Sequence, residues 1–300
     1  MLSNEEIIRE LYAAAEGQGT DIEKFVSMFS DEGYMRDVPS GTEFRGQAIG
    51  DSIAGLVSAF PDVHRELLNI YVAKNVVVVE LAIRGTHKGE LTLASGTLAP
   101  TGKAIDVPCC DVYHLESGKI ISFHCYNQPS VMQQQLGVGL GCITDTTRSD
   151  GKEMESSMSI QKNVQIVKDF FAAMGSGDKQ GLLALTAEDI EWIIPGEDWA
   201  LAGTHRGHAG LADLLQKAST TVETSFPEPP EFVAQGDRVL VVGFAKGRIK
   251  ATNRTWEDHW VFAITVRNGK LTNIREYVDT QALARASENS GVRNQNLRSS

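Results

Sequence analysis

Ile8-Arg-Glu-Leu-Tyr-Ala-Ala14 returns further along the chain as Val167-Lys-Asp-Phe-Phe-Ala-Ala173. Arg45-Gly-Gln-Ala48 returns as Arg206-Gly-His-Ala209, and Gly118-Lys-Ile120 as Gly269-Lys-Leu271, in the same order. Three segments matched in order read as two copies of one unit, the first longer between its middle and its last hairpin. The 300 residues agree with this, being about two domains at roughly 150 residues each. The first copy is read over 1–138 and the second over 160–286. Between them 139–159, rich in Gly, Ser, Thr and charge, reads as a linker, and 287–300 reads as a disordered tail.

Within each copy the hydrophobic period switches once. Ser3-x-x-Glu6 is a capping box, with Ile8, Tyr12 and Ala15 on one helical face behind it. Ile22, Phe25, Val26 and Phe29 form a second apolar stripe, and Ile49, Ile53, Leu56, Val57 and Phe60 a third. Val76 to Ile83 is then β-branched and bounded by Asn75 and Gly85, while Ser117-Gly118 and Asn268-Gly269 sit between alternating apolar runs as two-residue hairpin loops. Helices followed by a meander give an α+β fold. The expected architecture is a tandem of cones, each a strongly curved antiparallel sheet wrapped around its N-terminal helices and open at one apolar mouth, where small ligands bind.

The composition removes several function classes. Twenty-eight basic against 39 acidic residues give a net charge of -11, spread without a basic stripe, so a nucleic-acid partner is not expected. No run approaches the ~18 apolar residues of a membrane span. Met-Leu-Ser-Asn-Glu-Glu lacks the basic, then apolar start of a signal peptide, so a cytoplasmic location is expected. Four cysteines without a CxxC spacing are read as reduced thiols rather than as a disulfide framework or zinc site. Neither a spaced His/Asp/Glu cluster nor a nucleotide-binding motif is present, and no metal or organic cofactor is expected.

Gly85-Thr-His-Lys-Gly-Glu90, Pro100-Thr-Gly-Lys103, Gly118-Lys-Ile120 and Gln135-Leu-Gly137 resemble the SnoaL-like polyketide cyclases of the nuclear transport factor 2-like superfamily. In the second copy Ile194-Pro-Gly196, Gly203-Thr-His-Arg-Gly207 and Arg275-Glu-Tyr-Val-Asp-Thr280 resemble SnoaL-like and ketosteroid isomerase-related domains. The resemblance implies a cystatin-like α+β barrel and an intrachain pseudo-dimer, the sheets of the two cones packed together, with further association of two chains left open. It also supplies three roles in the first copy. Tyr12, ahead of Asp21 on the first helix, is similar to the tyrosine of ketosteroid isomerase. Asp37-Val-Pro-Ser-Gly41 is similar to the segment carrying its base, and Asp111-Val-Tyr-His-Leu115 to that carrying its oxyanion-hole acid. An Asp base, a Tyr donor and a protonated Asp donor are what proton transfer next to a carbonyl requires in a dry pocket.

Each residue also carries a plainer reading. Tyr12 fits the buried stripe of its helix, and Asp37 fits a turn ahead of Val38-Pro39. Counting back from Ser117-Gly118 sets Asp111 opposite His124, which would either hold Asp111 ionised or make an Asp–His acid/base pair; strand parity puts Cys109 and Tyr113 on the face of Asp111. His87 fits a structural histidine or a ligand contact. Cys125 stands where SnoaL-like cyclases place an acid/base Asp, so their mechanism does not carry over intact. Gln128 and Phe60 complete the expected substrate contacts of the first copy. In the second copy Phe171, Ile193 or Ile194, and Phe262 replace the triad, the same kind of counting sets Phe262 opposite Arg275, and Trp192, Trp199, His259 and Glu276 are the expected contacts; Glu276 is alternatively part of a solvated ion cluster with Arg275 and Asp279. The limonene epoxide hydrolase pattern, an Arg-x-Asp pair on the strand before Pro100, is missing. Three functions remain: an isomerase or intramolecular aldol cyclase acting on a hydrophobic enolisable ketone, a non-catalytic binder of such ligands, and a dehydratase or hydrolase centred on Glu276 and His259.

Overall fold

A computed structural model of the protein describes residues 2–93, 96–138, 157–196 and 199–287. The first domain runs α1 (Asn4–Ala13), α2 (Ile22–Ser27), β1 (Phe29–Asp37), β2 (Thr42–Arg45), α3 (Gln47–Ala59), β3 (His64–Ala73), β4 (Val76–Thr86), β5 (Leu91–Leu93), β6 (Gly96–Leu98), β7 (Ala104–Glu116), β8 (Lys119–Asn127) and α4 (Pro129–Leu136). The second runs α5 (Ser157–Ser176), α6 (Lys179–Leu185), β9 (Thr186–Ile194), β10 (Gly203–Arg206), α7 (Gly207–Thr221), β11 (Val222–Ser225), β12 (Glu231–Gln235), β13 (Arg238–Ile249), β14 (Thr255–Arg267), β15 (Lys270–Tyr277) and α8 (Thr280–Ser287). Residues 157–159, expected in the linker, are therefore helical; 139–156 and 288–300 lie outside the described residues.

Local chemistry sets the ends of these elements. Ser3 accepts a hydrogen bond from the Glu6 amide, and the Glu6 carboxylate accepts one from the Ser3 amide, closing the capping box of α1. Ser117-Gly118 and Asn268-Gly269 turn their hairpins with φ of 51° and 78°, and of 51° and 76°, the doubly left-handed geometry that Asn and Gly adopt at low cost.

The main sheets are ordered β2-β1-β8-β7-β4-β3 and β10-β9-β15-β14-β13-β11, with β12 on β13. They depart from the expected antiparallel sheet at one place each, where β1 runs parallel to β8 and β9 parallel to β15. The first strand of each copy precedes its crossover helix and lies beside the last strand, which runs in the same direction.

Alternation along the strands divides each sheet into two faces. On the inner face of the first sheet Val77, Val79, Leu81, Cys109, Tyr113 and Phe123 pack against Ile8, Leu11, Phe25, Ile49 and Ile53 of the helices. On the outer face Tyr71, Val78, Cys110, Val112 and Tyr126 join Val233, Leu240, Val261, Ala263 and Tyr277 of the second domain in one buried cluster. The two cones thus pack sheet against sheet. Arg238 reaches across this interface to form an ion pair with Glu80, whose other oxygen accepts a 2.7 Å hydrogen bond from the Tyr71 hydroxyl.

One irregularity recurs in both copies. The register slips between His114 and Leu115 opposite β8, leaving Ile121 without a partner, and between Thr265 and Val266 opposite β15, leaving Thr272 without one. These β-bulges shift every later pair by one residue. Asp111 consequently faces Cys125 rather than His124, and Phe262 faces Glu276 rather than Arg275.

Candidate active site

Asp37, Cys125 and Asp111 are successive cross-strand partners on β1, β8 and β7. At a strand spacing of ~4.8 Å, the Cα atoms of the two aspartates lie about 10 Å apart across Cys125. All three side chains face a cavity of about 250 Å³ in the first domain, which Tyr12 enters from α1 and Arg65, Tyr113 and Asn127 from the sheet; Met35, Ile53, Leu56, Ile83, Val107 and Phe123 supply apolar walls.

Asp111 is buried and surrounded by donors. The Tyr12 hydroxyl donates to its Oδ2 at 2.7 Å, Tyr113 reaches the same oxygen at 3.4 Å, and the Cys109 thiol donates to Oδ1 at 3.3 Å. Burial raises the Asp111 carboxyl above the usual range, against the opposing pull of the Tyr12 and Cys109 hydrogen bonds and the Arg65 charge. Burial first, and then the neighbouring Asp111 charge, push the Tyr12 hydroxyl well above 10. Where burial keeps its proton in place, the Asp111 carboxyl would itself be a hydrogen-bond donor beside Tyr12. Asp37 is only half-buried, and its Oδ1 accepts a 2.6 Å hydrogen bond from the Asn127 amide.

Cys109, Asp111 and Cys125 also bring three potential metal-ligand atoms within 4.8 Å of one another. Burial raises the Cys109 thiol well above 9, which opposes the thiolate that a metal requires.

Several expected contacts stand elsewhere. His124 points to the outer face, because the bulge at Ile121 reverses its parity. Its Nε2 lies 3.0 Å from the Tyr34 hydroxyl and its ring packs edge-on to His259 at 4.8 Å, and neither histidine lines this cavity or that of the second domain. The alternative Asp111–His124 pairing is therefore not formed, and His259 does not share the cavity of Glu276. The His87 ring packs on Phe60 at 5.3 Å, and its Nδ1 accepts from the Thr101 amide at 3.1 Å. That bond ties the strand end at Thr86 to the loop before β7. Phe60 belongs to a separate apolar cluster, and with His87 and Gln128 it lies outside the cavity lining. Sequence reasoning missed Arg65, a single polar residue in a strand with no motif around it; Asn127 shares the face of Cys125 by strand parity.

The second domain carries a larger and more open cavity of about 580 Å³, lined by Trp192, Trp199 and Glu276 among others. Phe262 and Glu276 occupy the places of Asp111 and Cys125, so the carboxyl has moved to the neighbouring strand. The Trp192 indole donates to Glu276 Oε1 at 2.6 Å. Protein surrounds the carboxyl apart from the cavity itself, and this burial raises it to about 8. Glu276 is thus not part of a solvated ion cluster.

Comparison with known proteins agrees with this architecture. Residues 6–135 match the model of the SnoaL-like polyketide cyclases, and residues 167–274 that of the SnoaL-like domain. An NTF2-like protein from Burkholderia xenovorans LB400 is 78% identical, with 44% of this chain and all of that one covered, at a TM-score of 0.43. A second NTF2-like protein, of unknown function, from Burkholderia pseudomallei K96243 is 25% identical over 42% of this chain and 96% of that one, at a TM-score of 0.39. An uncharacterised protein of Mycobacterium tuberculosis H37Rv is 24% identical over 120 residues, 40% of this chain and 91% of its own length. The chain belongs to the SnoaL-like family, as two SnoaL-like domains in tandem. Among the described residues no helix is long and apolar enough to cross a membrane.

Proposed function

We propose that the first domain is a cofactor-independent acid–base enzyme acting on a hydrophobic, enolisable ketone, as an isomerase or an intramolecular aldol cyclase. The observation that carries this reading is the Tyr12–Asp111 hydrogen bond of 2.7 Å in an apolar cavity that Asp37 also lines. Asp37 removes a proton from the carbon next to the carbonyl, and the electron pair moves onto the carbonyl oxygen. Tyr12 and neutral Asp111 donate hydrogen bonds to that oxygen as its charge develops. Asn127 fixes the Asp37 carboxylate, and the ~10 Å between the two aspartates leaves room for a substrate between base and donors. Returning the proton to a different carbon gives an isomer. Attack of the enolate on a second carbonyl of the same molecule forms a carbon–carbon bond, the new alkoxide taking up the proton, and gives a ring.

The rival reading is a binder without turnover. Exchange of α-protons for deuterium, followed by NMR on a panel of hydrophobic ketones, separates the two before the natural substrate is known. Asp37→Asn is expected to slow exchange by about 10²–10⁴-fold while leaving ketone affinity nearly unchanged. Ketone binding with exchange no faster than in buffer for the unaltered protein would mean a binder.

A further inference from the structure

The chain has four tryptophans, and all four, Trp192, Trp199, Trp256 and Trp260, line the cavity of the second domain. None lines the first. Two of them are placed by glycines opposite them in the sheet, Gly243 to Trp260 and Gly247 to Trp256. A Cβ at either glycine would come within 2.3 Å or 2.5 Å of an indole carbon, so the rings lie flat on bare backbone. Phe171 and Phe262 add two further aromatic faces.

Into this aromatic chamber point two carboxyls and no base: Lys, Arg and His are absent from its lining among the described residues. Asp258 is 6% exposed; its Oδ2 accepts from the Asp279 amide at 2.9 Å, while its Oδ1 has no hydrogen-bond partner among the described residues. Among the described residues Glu276 has one donor, Trp192. An apolar ligand would fill the space but leave a buried carboxyl oxygen unpaired, which is costly. An anion would meet two acids. A cation would meet the negative faces of the indoles and, beside them, two acids whose ionisation burial disfavours and an entering positive charge restores.

We infer that the cavity of the second domain is a binding site for an organic cation with an apolar body, a substituted ammonium ion, held between the tryptophan faces and the Asp258 and Glu276 carboxyls. The site is independent of the proton-transfer chemistry proposed for the first domain. It gives the second domain, which lacks the Tyr–Asp–Asp set, a ligand of its own.

The distribution of tryptophan supplies the assay, because fluorescence excited at the indole edge reports on this cavity alone. The full chain is titrated with phenyltrimethylammonium and, separately, with tert-butylbenzene, which has the same shape with carbon in place of the charged nitrogen. The expected result is a saturable emission change with the cation and binding at least tenfold weaker for the isostere. Glu276→Gln, which retains an acceptor for Trp192, should weaken the cation selectively, and Asp258→Asn should do the same. Equal or tighter binding of the neutral isostere would overturn the inference, leaving a plain apolar pocket. Absence of a saturable change with the cation up to millimolar concentration would overturn it as well. The isostere comparison on the unaltered protein decides the matter even where a variant folds poorly.

Discussion

Glu276 is a carboxyl held in an apolar cavity by one donor, and its titration is readable in the stability of the chain. Its ordinary value of 4.5 in the unfolded chain becomes about 8 in the folded one. The folded state therefore keeps a proton that the unfolded state releases, and stability is lost as pH rises from 4.5 towards 8. At pH 7 the loss is about 3 kcal/mol, from 1.36 kcal/mol per pH unit. Glu276→Gln, which cannot ionise, should gain on the parent protein between pH 5 and 8 and gain no further above 8, as measured by urea unfolding across that range. A constant difference would mean that Glu276 is ionised in the fold. Much of the placement at this scale was legible in the sequence. Tyr12, Asp37 and Asp111 were found through flanking motifs and line one cavity, and Cys109 and Tyr113 followed from strand parity. Arg65 was not legible, since a lone polar side chain on a strand carries no signal of which cavity it enters.

Strands and turns were read correctly where composition dictates them and misread where geometry does. Val76 to Ile83 lies within β4, and both two-residue loops turn as their Ser-Gly and Asn-Gly sequences require. The bulges at Ile121 and Thr272 had no such signature, because each inserts an ordinary residue into an apolar run. Counting across the hairpin was right at Glu116–Lys119 and wrong from His114 onward, which sent His124 to the wrong face. Glycine within a strand is a clearer marker. Gly243 on β13 exists to seat Trp260, with three indole carbons within 2.8 Å of where a Cβ would stand. Gly243→Ala should force that ring into the cavity, destabilise the chain by about 1–3 kcal/mol and shift the tryptophan emission. A substitution without effect on either urea midpoint or emission would show that the ring has room to move.

The fusion of two cones has consequences that neither domain shows alone. Strands buried on both faces read as continuous apolar runs, and β4 is such a strand because helices cover one face and the second domain the other. Glu80 and Arg238 are polar groups inside that interface, and removing one leaves the other uncompensated. Arg238→Met should cost about 3–5 kcal/mol, and adding Glu80→Met should recover most of it; an additive double variant would deny the coupling. His124 and His259 give the interface a dependence on acid. Burial, then the charges of His259 and Arg36 among others, lowers His124 from 6.5 to about 3, and burial, then the Arg36 charge, lowers His259 to about 4. Both are neutral in the fold and protonated in the unfolded chain below 6.5, so their contribution is present above pH 6.5 and lost as pH falls towards 3–4. The slope is at most about 1.4 kcal/mol per pH unit for each imidazole, so by pH 5 the two together remove about 4 kcal/mol. Urea midpoints between pH 7 and 4.5 should fall steeply in the parent protein and less so in His124→Gln, because one proton no longer drives the domains apart. An equally steep fall in the variant would assign the acid limb to other groups and leave the histidine pair as a passive contact between the sheets.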